Sequence, residues 1–222
     1  MRPLDFEGVK TYSLLRLANE LPETNCYHSL LHTRDEVAPA AERIAAMEGI
    51  QQDDLIILLT AVYFHDLGFI MSSKNHEETG ARIAEEVLPG FGYRHDQVRT
   101  IKNLIMATRL PQSPTTLLEK ILVDADLAVL GQDTFMKRSL DLRDELSTNG
   151  GYIPDDRWIQ EQLSFMDSHR YFTNAARTIL DGQKKKNLAL LIERKSQRTS
   201  IPLSETALVE SPRSCWVVKI CL

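Results

Sequence analysis

Residues 55–69 read LIILLTAVYFHDLGF, and from Leu55 to Phe64 only Thr60 is polar. A helix apolar on every side is stable where neighbours cover all its faces, so this stretch predicts the central helix of a bundle. Asp53 or Asp54 stands where it can cap the start. The helix runs directly into His65 and Asp66, so a buried element carries an imidazole and a carboxylate at its end. A lone buried carboxylate is costly unless a cation or several hydrogen bonds compensate it. The alternative for an arbitrary His-Asp pair is an ordinary helix terminus, with the imidazole near the negative end of the dipole.

Outward from this segment the periodicity is helical, not alternating. A helix is predicted over about 6–21, with Leu14, Leu15, Leu17, Ala18 and Leu21 on one side and Pro22 as its stop. A second covers about 27–47, with Val37, Ala40, Ala41, Ile44 and Ala45 as its apolar stripe and Gly49 beyond its end. Further helices are predicted over about 76–88, 96–108, 117–130 and 134–146, and STNGGYIP (147–154) reads as a loop. A long helix over about 155–180 closes the core before Asp181-Gly182. The pattern predicts an all-α fold, a single-domain helical bundle. The expected division is an N-terminal helix packing on the core over 1–26, the main domain over 27–182, which is catalytic if the site residues below act together, and a C-terminal helix and flexible tail over 183–222.

The 222 residues suffice for one domain with a real core. The formal net charge of −5 argues against a nucleic-acid polymer as partner, which usually demands a basic excess. It leaves room for a small phosphorylated substrate, because a bound metal supplies local positive charge. No run of about 18 apolar residues occurs, so no membrane span is expected. Cys26, Cys215 and Cys221 form no C-x-x-C pair; the sparse, odd set reads as reduced thiols in a cytoplasmic protein. A homo-oligomer is compatible with the sequence.

Several other residues bear on the His65-Asp66 pair. His28 and His32 are spaced i, i+4 and share a helix face. VDADLAVLG (123–131) holds Asp124 and Asp126 in an otherwise apolar stretch. Two residues apart, they cannot easily face one point, so one binds a metal while the other orients a ligand or caps a backbone. In the NHEE segment (75–78) Glu77 or Glu78 is a candidate to activate water, Glu77 the preferred one, and His76 to hold a second metal; the bland reading is a helix start where acids suit the dipole. Lys74 and Arg109 are candidates to meet a substrate phosphate, against the plainer roles of a solvated loop lysine and a cation at a helix C-terminus. The lysine run 184–186 reads as a solvated helix end.

The order His32, His65-Asp66, Asp126 resembles the H…HD…D signature of the HD superfamily of metal-dependent phosphohydrolases. YHSLLHT (27–33) resembles the YHNxxH segment of cyclic-nucleotide phosphodiesterases, with Ser29 in place of Asn. HDLGF (65–69), NHEETGARIAEEVLP (75–89) and DADLAVLG (124–131) resemble the blocks that follow, so the likeness spans about 27–146. The resemblance implies an all-α bundle of HD type, with His32, His65, Asp66 and Asp126 as metal ligands. Asp126 takes the last place because the family's final Asp usually follows Ala; Asp124 is the alternative. It makes His28 the proton donor to the leaving oxygen. Two neutral His and two Asp balance one divalent ion, and manganese, magnesium, iron, cobalt, nickel or zinc all suit such a set. The implied activity is hydrolysis of a phosphate ester or phosphodiester, in a nucleotide. Some relatives instead hold two irons and oxidise their substrates, for which His76 and His95 are available, and a non-catalytic nucleotide or metal sensor is the third reading.

Overall fold

The computed structural model describes residues 3–199, and among them every regular element is helical. In chain order these are α1 (Phe6–Glu20), α2 (Ala38–Met47), α3 (Gln52–Phe64), α4 (His76–Val87), α5 (His95–Ala107), α6 (Leu117–Asp126), α7 (Phe135–Gly150), α8 (Asp155–Ser168) and α9 (Asn174–Thr199). A wide π turn, His32–Val37, leads into α2, and tight 3-10 turns follow α3 (Leu67–Ile70), α4 (Leu88–Phe91) and α6 (Ala128–Gly131).

The apolar run 55–64 does become the central helix. Every residue from Ile57 to Phe64 is buried, with α1, α2 and α5 packed around α3. Its start differs from expectation: Gln51 is the N-cap residue, and Asp53 and Asp54 sit in the first turn, where their charge meets the helix dipole. The stripe of α2 is buried at Val37, Ala41, Ile44 and Ala45. On α1 the inward face is Val9, Ser13 and Leu17, while Leu15 and Ala18 are exposed, so the predicted face was too wide.

Three element boundaries are corrected. The α7 helix continues through Gly150 and takes in the first half of the predicted loop 147–154. The single helix expected over 155–180 is two, broken at 169–173, because Asp124 collects the free backbone N–H groups of Phe172 and Thr173. Thr173 then caps α9, its Oγ1 accepting from Ala176 N at 3.1 Å. The new helix runs through Asp181-Gly182 to Thr199, so the boundary placed at 182/183 falls inside α9. Leu180 belongs to the main core and Leu191 to a smaller cluster with Leu130, Phe135 and Met166. The rest of the expected tail, from 200 onward, lies outside the described residues. The reading of three reduced thiols does not hold for Cys26, which is disulfide-bonded; Cys215 and Cys221 lie outside the described residues. No helix among the described residues is long and apolar enough to cross a membrane.

Candidate metal centre

Two glycines bring the site's walls together. A Cβ on Gly68 would stand 1.9 Å from the carbonyl oxygen of His76, and one on Gly80 would stand 2.8 Å from that of Phe64. Only bare backbone lets the start of α4 lie against the end of α3 and its following turn. That approach carries His76 to Asp66, with Glu77 beside the imidazole: His76 Nε2 is 3.8 Å from Asp66 Oδ1 and 3.5 Å from Glu77 Oε1.

His32, His65 and Asp66 are buried, and one ligand atom from each lies within 4.8 Å of the others. Asp126, at the end of α6, joins them: its Oδ1 is 3.3 Å from His32 Nε2 and 3.5 Å from His65 Nε2. Its side chain is 19% exposed, against 1% for the histidines and 6% for Asp66, so it marks the side open to solvent. His32, His65 and Asp66 thus form a cluster able to hold a divalent ion, and Asp126 stands against its two histidines. Asp124 does not reach it; of its two expected roles it takes the backbone-capping one, accepting from Phe172 N, Thr173 N and Thr173 Oγ1 at 2.7–2.8 Å.

Hydrogen bonds fix the tautomers. His65 Nδ1 lies 2.7 Å from the Val62 carbonyl, which can only accept, so Nδ1 carries the proton. In the neutral ring Nε2 is then a lone pair, facing Asp66 Oδ2 at 3.2 Å. Both His65 Nε2 and Asp66 Oδ2 are buried without a hydrogen bond. On His32, Nδ1 donates to Glu36 Oε2 at 2.9 Å, one turn along the same helix, and Nε2 points to the acids. Each imidazole is thus tied by one nitrogen and offers the other, the arrangement of metal-binding histidines. Without an ion, burial opposes charge on His32, but bonds to Asp126 and Glu36 outweigh it and raise its pKa to about 9. Burial opposes charge on His65 too, but the carboxylates of Asp66 and Asp126 outweigh it and raise its pKa. Burial works against the ionised carboxyls of Asp66 and Asp126, yet the neighbouring histidines hold both below the usual carboxylate range.

His28 stands beside the cluster, its ring centroid 6.1 Å from that of His32. Phe69 lies between His28 and His76, stacked on them at 4.2 and 4.1 Å. Lys74 is exposed in the loop before α4, and Arg109 pairs with Glu78 at 2.7 Å on the surface; neither contacts the four clustered side chains. His95 is exposed at the start of α5, away from the cluster. Reading the sequence missed Glu36, Phe69, Arg138 and Glu145. Of these only Glu36 left a signal, the i, i+4 spacing from His32.

The comparisons agree with this geometry. Residues 32–128 match the family model of the HD domain. Over this span the chain is similar to an HD domain. The matched span begins at His32 and includes His65, Asp66 and Asp126. A crystal structure of a protein from Lactobacillus plantarum is similar in fold, with a TM-score of 0.65 and 15% identity, covering 88% of this chain and 97% of that one. A predicted HD superfamily hydrolase from an uncultured Thermotogales bacterium is similar at a TM-score of 0.56 and 20% identity, covering 87% and 90%. No curated protein sequence matches the chain. The match to the HD domain model and the His/Asp cluster support a metal-dependent hydrolase in general.

Proposed function

We propose that the chain is a metal-dependent phosphohydrolase acting on a phosphate ester or phosphodiester of a nucleotide, with His32, His65, Asp66 and Asp126 as metal ligands. The observation that carries this reading is the facing of His65 Nε2 and Asp66 Oδ2, two buried acceptors 3.2 Å apart. Neither atom has a hydrogen-bond partner, and a divalent ion would compensate both. Two carboxylates and two neutral imidazoles neutralise one such ion. When bound, the metal supplies Lewis acidity and a water acidic enough to attack at neutral pH. His28, at the edge of the cluster, is placed to give a proton to the leaving oxygen. Glu77, buried behind His76, is the candidate to take the proton of the attacking water.

His76 supports a second reading. Its Nε2 near Asp66 Oδ1 is placed to share a second ion, as in a di-iron oxygenase, although His95 brings no further ligand. Assays of wild type and Asp66→Ala on p-nitrophenyl phosphate, its bis-ester and a nucleotide panel, with each of the six metals, test the main reading. Metal-dependent release lost in the variant supports it. Oxygen consumption by iron-loaded protein would favour the oxygenase, and tight nucleotide binding without turnover would favour a sensor.

A further inference from the structure

The segment before His32 has no helical hydrogen bonds of its own: residues 21–29 are turns and bends. Its backbone groups need partners from elsewhere, and α7 provides them. Glu145, 2% exposed, accepts from Tyr27 N at 2.8 Å and His28 N at 3.0 Å through Oε2, while Oε1 meets His28 Nδ1. Seven residues earlier on the same helix face, Arg138 donates to the carbonyls of Tyr27 (2.8 Å) and Cys26 (3.3 Å). Its Nε also pairs at 2.8 Å with Glu36, the carboxylate behind His32. The α7 helix therefore grips residues 26–28 by amides and carbonyls together, and one carboxylate holds both the backbone and the ring of His28. Residues 26–28, Arg138 and Glu145 lie outside the 32–128 span matched by the HD domain model, while Glu36 lies inside it.

We infer that Glu145 is a positioning residue for proton transfer, holding His28 with Nδ1–H toward its carboxylate and Nε2–H toward the substrate. The inference rests on the phosphohydrolase reading and sharpens it toward a substrate class: esters whose leaving group is an alkoxide, such as a nucleotide sugar oxygen. When the ester P–O bond breaks, its electron pair goes to the leaving oxygen, which takes the proton from Nε2. Water forms the new P–O bond, and the proton it releases restores the ring over the turnover. An aryl leaving group departs without that proton.

The test is Glu145→Gln, in which the amide oxygen still accepts from the two backbone N–H groups while the amide nitrogen meets Nδ1 as a donor. In zinc-loaded protein labelled with 15N-histidine, the wild type should show His28 with Nδ1–H, and the variant should lose that proton with metal content unchanged. The variant should lower kcat by about a hundredfold, the lower end of general acid catalysis, on a nucleotide ester, with KM steady. On p-nitrophenyl phosphate kcat should stay within about threefold of wild type, well short of the general-acid range. Retention of the Nδ1–H signal, or equal changes on both esters, would overturn the inference. A wild type that hydrolyses neither ester sinks the phosphohydrolase reading instead, and the ring signal still decides whether Glu145 sets the orientation of His28.

Discussion

One methyl group, added at either of two glycines, should have opposite effects on this chain. At Gly68 the new Cβ would meet the His76 carbonyl oxygen at 1.9 Å, where real Cβ contacts do not fall below 3.0 Å. The turn after Asp66 and the start of α4 must separate by at least 1.1 Å, the difference, and the opposing atom is backbone that cannot rotate aside. Forcing an extra carbon into a closed contact costs about 1–3 kcal/mol. For a chain of this size that lowers Tm by roughly 2–12 °C, at about 2–4 °C per kcal/mol. The same shift carries His76 and Glu77 away from Asp66, and a misplacement of about 1 Å near reacting groups can cost about a hundredfold in rate. Gly182 is exposed in the middle of α9 with nothing within 4 Å of a built Cβ, so Gly182→Ala should stabilise by about 0.5–1 kcal/mol through helix propensity. Urea and thermal unfolding of the two variants beside wild type, with metal removed by chelation, read both signs. If Gly68→Ala melts with wild type, the close approach of α4 to the HD turn does not govern the site.

Other expectations follow from the same contacts. Glu36→Gln exchanges the acceptor of His32 Nδ1 for an amide and should weaken manganese binding about 10–100-fold in a direct titration, while the fold is kept. Asp124→Ala strands the buried N–H of Thr173 and the part-buried N–H of Phe172 at the α8–α9 break and should cost about 1–3 kcal/mol in denaturant unfolding without changing metal stoichiometry. His169 is held down to about 4 by burial first, then by Lys184 and Arg170, with Lys184 donating to its Nδ1 at 3.0 Å. The unfolded chain therefore binds the extra proton between pH 6.5 and 4. This contribution is complete above pH 6.5 and lost as pH falls through the window, and His169→Gln should flatten that part of the stability curve.

The helices were legible because each long apolar pattern had a matching neighbour to bury it. His65, Asp66 and Asp126 stood out as polar groups in apolar surroundings, whereas His32 was singled out by its i, i+4 spacing from His28 and by the family resemblance. Boundaries failed where a distant side chain decided them. Nothing between 155 and 180 announces a break, since the acid that ends the helix, Asp124, lies almost fifty residues away. Asp124 and Asp126 looked alike from the sequence because both interrupt the same apolar run; only the position of residues 172–173 separates their roles. Glu145 is one of three acids on α7, with Asp141 and Asp144, and no spacing links it to His28, 117 residues earlier. Glu36 is the exception, a local partner that a search of the His32 helix face could have found.

The four clustered side chains come from chain positions up to 94 apart, His32 and Asp126 being the extremes. An ion shared among them would close that length of chain into a ring that the unfolded polypeptide does not hold. Occupancy then becomes a folding variable: a metal bound only by the native state adds RT ln(1 + [M]/Kd), about 2.7 kcal/mol at a hundredfold excess over Kd. A chelator would act on such a protein as a denaturant, and the supply of metal would set how long the chain survives as well as how fast it works.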